Sequence, residues 1–182
     1  MAGRAGVSSL KGKPFVKDKQ GKISRPGPRG SHRQAGVIPY VIEQGEVKIL
    51  LVTSRDTGRW VIPKGNIGGG RSAAEAAVKE AEEEAGVKGR ISTPLPLGFF
   101  PYFKRLASGE ARATTVEVYP LLVTATLETW PEKDQRRLCW VSAWEAARMV
   151  DEPGLARMMI RLVEIIQAEP REASDPLRPD RE

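Results

Sequence analysis

The stretch spanning residues 65–87, GNIGGGRSAAEAAVKEAEEEAGV, constrains the fold more than any other part of the chain. At 100° per residue, Ala74, Ala77, Val78, Ala81 and Ala85 share one face of a helix. Side chains this small predict a helix that lies close against a sheet. Ser72 and Glu75 have the spacing of a capping box, in which serine accepts a helix N–H and glutamate reaches back to the cap. Glu75 therefore has a structural task, and Gly86 closes the helix. Glu80, Glu83 and Glu84, three and four apart, converge on another face, while Glu82 points away with Glu75 and Lys79. The three acids also crowd a helix C-terminus, whose partial charge is already negative. A solvated acidic face is the bland reading. Joined to an alanine floor and a glycine loop, the acids read instead as a platform for a divalent cation.

The rest of the composition narrows which cation. His32 is the sole histidine, so a metal site must rest on oxygen ligands, which favours Mg²⁺ or Mn²⁺ over zinc. The single cysteine, Cys139, excludes an internal disulfide and suits a reducing cytoplasm. Its setting, RRLCWVS, predicts a buried strand and a packing role. No apolar run approaches membrane-spanning length, and the N-terminus lacks the apolar core of a signal peptide. Up to Arg33 there are nine Lys or Arg and one acid, about +8, against a formal +6 for the whole chain. The basic charge thus belongs to the first segment, which is rich in Gly, Ser, Pro and Lys. Residues 1–33 are expected to be a disordered basic arm, with weak contact to RNA or another anion as the minority reading.

Residues 34–169 are expected to form one domain and 170–182 a polar tail. AGVIPYVIEQGEVKILLVTS predicts strands at 36–42 and 47–54 around a turn at Gln44-Gly45. WVIPKG predicts a short strand stopped by Pro63 and Gly65. After the acidic helix, GRISTPLPLGFFPYFKRL and EARATTVEVYPLLVTATLE predict a hairpin turning at ASGE. RRLCWVS is a further strand, and AWEAARMV and PGLARMMIRLVEIIQAE are helices. The second of these has an apolar face of Leu155, Met158, Met159, Leu162, Ile165 and Ile166. Strands mixed with helices in this order predict an α/β/α sandwich on one mixed sheet.

The segment resembles the Nudix box, G-x5-E-x7-R-E-U-x-E-E-x-G-U, where U is aliphatic. Gly65 matches its first glycine, and KEAEEEAGV matches its second half through Glu80, Glu83, Glu84, Gly86 and Val87. Two positions depart: Arg71 stands where the box has glutamate and Lys79 where it has arginine. These belong together as a structural pair, so the loop must be arranged differently, with Lys79 free to meet Glu75 or Glu83. The flanking segments over roughly residues 34–150 are similar to the diphosphoinositol-polyphosphate and diadenosine-polyphosphate hydrolase branch. The resemblance implies the Nudix sandwich and Mg²⁺- or Mn²⁺-assisted hydrolysis of a diphosphate linkage. It carries the metal-binding and catalytic acids over to Glu80, Glu83 and Glu84.

A polyanionic substrate must also be gripped. Arg55, Arg59 and Lys64 precede or enter the box, and Lys104 and Arg105 lie near the hairpin turn, so these five are the candidate phosphate ligands. FFPYFKR reads first as sheet packing and second as a cleft wall, and the four tryptophans read mostly as core or edge packing. The expected substrate is a phosphorylated small molecule, with diphosphoinositol and dinucleoside polyphosphates leading and a triphosphate RNA end behind them. A non-catalytic binding or regulatory module on the same fold is the alternative, with Arg71 as its best argument.

Overall fold

The computed structural model describes residues 16–17, 23–24, 32–106 and 108–168. The chain divides into two units, Met1–Ser31 and His32–Glu182. In the first, β1 (Val16–Lys17) pairs antiparallel with β2 (Ile23–Ser24). The rest of the expected arm up to residue 31, and the tail at 170–182, lie outside the described residues.

Side-chain alternation builds the second unit. On β3 (His32–Glu43) and β4 (Glu46–Thr53), Ala35, Val37, Leu50 and Val52 enter one core, while Ile38, Tyr40, Ile49 and Leu51 enter another. Both faces are covered, which explains the near-continuous apolar runs. Gln44 and Gly45 join the strands with φ of 51° and 83°, the left-handed pair that a tight hairpin needs. Strand β3 begins at His32 because His32 and Arg33 already pair with Thr114 and Thr115. It thus takes two residues from the segment expected to be an arm.

The other strands are β5 (Trp60–Val61), β6 (Lys64–Asn66), β7 (Val87–Ile91), β8 (Gly98–Arg105), β9 (Ala111–Thr126) and β10 (Leu138–Ser142). The main path is β10-β4-β3-β9-β7, with β5 on β4, β6 on β3 and β8 on β9. Strands β3 and β9 run parallel and the remaining pairs antiparallel, so the sheet is mixed. Helix α1 (Ala73–Ala85) packs on one face; α2 (Ala143–Met149) and α3 (Pro153–Ala168) pack on the other. This is the expected α/β/α sandwich. Leu155, Met158, Met159 and Leu162 of α3 are buried, and Ile165 and Ile166 partly so.

Three strand readings need correction. The long first arm of the expected hairpin is two strands, β7 and β8, both on β9. Pro94 and Pro96 between them lack the N–H that a continuous ladder requires. WVIPKG is also two strands: β5 joins β4 and β6 joins β3, on either side of Pro63. Strands β3 and β4 are paired from Tyr40–Ile49 to the turn and then diverge around this wedge. Finally, β10 pairs with β4 alone and is a sheet edge, so Cys139 is half-buried rather than buried. Among the described residues no helix is long and apolar enough to cross a membrane.

Candidate active site

Helix α1 has the capping box at Ser72–Glu75, and its end is closed by Gly86 at φ 62°. Its buried face is Ala73, Ala76, Ala77, Ala81 and Ala85, with Ala74 and Val78 only partly covered. The helix is therefore rolled by about one position from the expected orientation, and Glu84 comes to lie underneath. Its carboxylate is 6% exposed and fully engaged. Oε2 accepts the Lys64 backbone N–H at 3.1 Å, and Oε1 accepts a hydrogen bond from Nη2 of Arg136. Arg136 is equally buried; its Nη1 donates to the Thr53 carbonyl at 2.8 Å and its Nε to Glu132 at 2.6 Å. Arg55 extends the chain through Glu132 at 3.1 Å.

Burial pushes the Glu84 carboxyl up to about 7, against the opposing pull of Arg136 and Lys64. The folded protein then holds this proton more tightly than the unfolded chain does. Its contribution is present below the ordinary value of 4.5 and fades as pH rises towards 7. Stability of the metal-free protein is expected to fall over that window, on the order of 1–3 kcal/mol. Denaturant titrations at pH 5 and pH 8 in chelator check this. Glu84→Gln should flatten the slope, and an equally steep slope in that variant would assign the effect elsewhere.

Glu80 and Glu83 flank Glu84. Glu80 is half-buried and has no hydrogen-bond or ion-pair partner among the described residues. Burial, and then Glu83, push its carboxyl above the usual range. The Glu80 carboxylate occupies the space where a Cβ on residue 65 would sit, which explains the glycine there. Glu83 pairs with Lys79 across one helical turn, one of the two expected partners. Arg71 is exposed at the end of a loop whose Gly69 and Gly70 take φ of 67° and 74°. The loop after β9 braces the helix end, with the Trp130 ring filling the space beside Gly86 and the Glu132 N–H bonding the Glu83 carbonyl at 3.1 Å.

Among the described residues, no three acidic, histidine or cysteine side chains form a ready metal set. The donors still fit Mg²⁺ or Mn²⁺. Such ions are commonly held by one or two carboxylates plus substrate phosphates and water. Burial and Glu83 outweigh Lys79 and Arg136 at Glu80, so its ionised form is disfavoured and a bound cation would favour it.

All five expected phosphate ligands line one cleft of about 360 Å³: Arg55, Arg59, Lys64, Lys104 and Arg105. The cleft opens where β3 and β4 diverge, and Glu84 and Arg136 connect it to α1. Lys64 Nζ lies 5.6 Å from the Tyr102 ring centre, and burial lowers its pKa. The Tyr102 hydroxyl donates to Gln34 at 2.6 Å. FFPYFKR fills both expected roles: Phe100 is core, Tyr102 on the same strand face packs against that core and lines the cleft, and Phe103 on the opposite face is exposed at the cleft. No tryptophan lines it. Glu80 and Glu83 lie outside its lining, so Glu84 is the member of the acidic set that reaches it. The sequence reading missed Arg136, Glu132, Gln34 and Glu152. A buried acid's need for a cation would have pointed to Arg136; nothing local singled out the others.

The NUDIX domain family model matches residues 30–162. Nudix hydrolase 21, chloroplastic, of Arabidopsis thaliana is 32% identical over 70% of this chain, which spans 64% of that relative's length. Nudix hydrolase 12, mitochondrial, of the same plant is 31% identical over 75% of each chain. Human diphosphoinositol polyphosphate phosphohydrolase 3-beta is 30% identical, covering 68% of this chain and 71% of the relative. Among solved structures, a C. elegans Ap4A hydrolase superposes with a TM-score of 0.55 at 18% identity, covering 75% of this chain and 98% of that one.

Proposed function

This chain belongs to the Nudix hydrolase family, and we propose that it hydrolyses a diphosphate linkage in a highly phosphorylated small molecule. The observation that carries this reading is the position of Glu84. It joins the acidic end of α1 to a cleft lined by five candidate phosphate ligands. A diphosphoinositol polyphosphate or a dinucleoside polyphosphate fits that charge.

In the proposed mechanism, Lys64, Lys104 and Arg105 take phosphate oxygens, with Arg55 and Arg59 at the cleft wall. Glu80 and Glu83 would hold a divalent ion. Glu83 is free to exchange Lys79, since a half-exposed ion pair of this kind is weak. Glu84 keeps Lys64 and Arg136 in place and would join the ion by exchanging Arg136. When bound, Mg²⁺ or Mn²⁺ neutralises diphosphate oxygens and lowers the pKa of water. One of the α1 carboxylates accepts the proton of the attacking water, and no covalent enzyme intermediate is required. The basic first segment would add long-range attraction for anions.

The test is turnover of diphosphoinositol polyphosphates, dinucleoside polyphosphates, nucleotide sugars and triphosphate-ended RNA with Mg²⁺ or Mn²⁺. Products are separated by ion exchange. Chelator should abolish turnover and added metal restore it. Arg71 favours the second reading, a binding module: tight binding of one ligand with no metal-dependent turnover would establish that instead.

A further inference from the structure

Glu152, just before α3, lines the cleft with a side chain 11% exposed. Its Oε1 accepts a hydrogen bond from Arg59 at 2.7 Å. Its Oε2 is buried with no partner. A buried polar atom left unpaired is costly, and such atoms call for an explanation. Glu152 lines the cleft, and the final torsion of glutamate is soft, so the carboxyl can turn to present its spare oxygen to a donor there.

Charge is distributed unevenly along the cleft. Arg59 is already matched by Glu152 and by Asp151 at 3.4 Å. Lys104 and Arg105 have no ion pair among the described residues. A Cβ on Gly154 would lie 3.1 Å from that of Phe100, which places the start of α3 beside that part of β8. Lys104 is four residues further along the same strand, roughly 13 Å away at the usual rise. Lys104 and Arg105 thus offer unmatched cations on β8, whereas Glu152 sits beside a matched arginine, within electrostatic reach of Lys64, and has a surplus carboxylate oxygen.

We propose that Glu152 is a specificity-determining residue that accepts a hydrogen bond from an uncharged donor group on the substrate. This deepens the hydrolase reading and rests on it. The phosphate chain lies towards Lys104 and Arg105. The group at Glu152 is a hydroxyl or amino donor of a nucleoside, because a phosphate there would face a carboxylate. An inositol ring carrying phosphate on every carbon has no such donor to present. A dinucleoside polyphosphate supplies such a donor, and a fully phosphorylated diphosphoinositol does not.

The full-length protein is compared with Glu152→Gln and Glu152→Lys. Two probes are used, diadenosine tetraphosphate and a diphosphoinositol pentakisphosphate. Binding is measured by calorimetry in Ca²⁺ and turnover in Mg²⁺. The wild type should prefer the dinucleotide. Glu152→Lys should shift the ratio of the two affinities towards the inositol compound by about tenfold or more, since it removes the acceptor and adds a phosphate ligand. Glu152→Gln, which retains shape and one acceptor oxygen, should shift the ratio less and keeps the test valid if the lysine variant misfolds. A wild-type preference for the inositol compound, or a ratio unchanged in both variants, overturns the proposal. Binding of the dinucleotide without turnover would refute the hydrolase reading, while the affinity ratio would still decide the role of Glu152.

Discussion

Arg136→Met is expected to lower stability by about 3–5 kcal/mol at neutral pH, because it leaves a buried carboxylate without its cation. Arg136 and Glu84 are each almost fully enclosed, and the same guanidinium also bonds Glu132 and the Thr53 carbonyl. Methionine fills much of the volume and satisfies none of these acceptors. The cost should shrink towards pH 5, where the Glu84 carboxyl, pushed up to about 7, takes a proton and needs no counter-charge. Adding Glu84→Gln to Arg136→Met should recover part of the loss, which is the double-mutant signature of a direct pair. Urea unfolding of the four proteins at two pH values measures all of this. A loss below about 1 kcal/mol at pH 7.5 would mean that water already reaches Glu84, and the buried link between helix and cleft would have to be abandoned.

The same network shows what the sequence could and could not convey. Local signals carry local structure: the Ser72–Glu75 box, Gly86, and the Gln44-Gly45 turn each appear where their chemistry places them. The acids of α1 were legible through helical spacing, and the five candidate phosphate ligands through their nearness to the box and hairpin turn. That those five would line one cleft was not legible. It depends on β5 joining β4 and β6 joining β3 on either side of Pro63, a choice of partners that a six-residue run does not encode. The roll of α1 was misread for a related reason. Periodicity gives a face of the helix but not its angle on the sheet, and Glu84 can turn inward only because Arg136, 52 residues later, meets it there. Glu152 was invisible as a cleft residue, since its setting depends on α3 packing beside β8.

Glu80→Gln is expected to reduce kcat by about 10²-fold or more with little change in fold, because it removes a charge from the proposed metal platform while keeping its shape. Stability should hold or rise slightly, since burial and Glu83 already disfavour the ionised carboxyl. Gly65→Ala tests the same group from the opposite side. Residue 65 does not have a left-handed backbone, so alanine is not strained there for conformational reasons. Its methyl group would instead occupy the space of the Glu80 carboxylate and force that side chain to move. Both variants should therefore lose turnover while keeping most of their stability, because the atoms displaced by the methyl group are the end of a flexible, half-buried side chain. Rates at saturating Mg²⁺ and thermal melts of both proteins distinguish the outcomes. If Gly65→Ala retains turnover while Glu80→Gln loses it, Glu80 acts from a different rotamer than the one packed on Gly65. If Glu80→Gln retains full turnover, the reacting centre does not depend on this carboxylate, and the proposed metal platform on α1 is wrong.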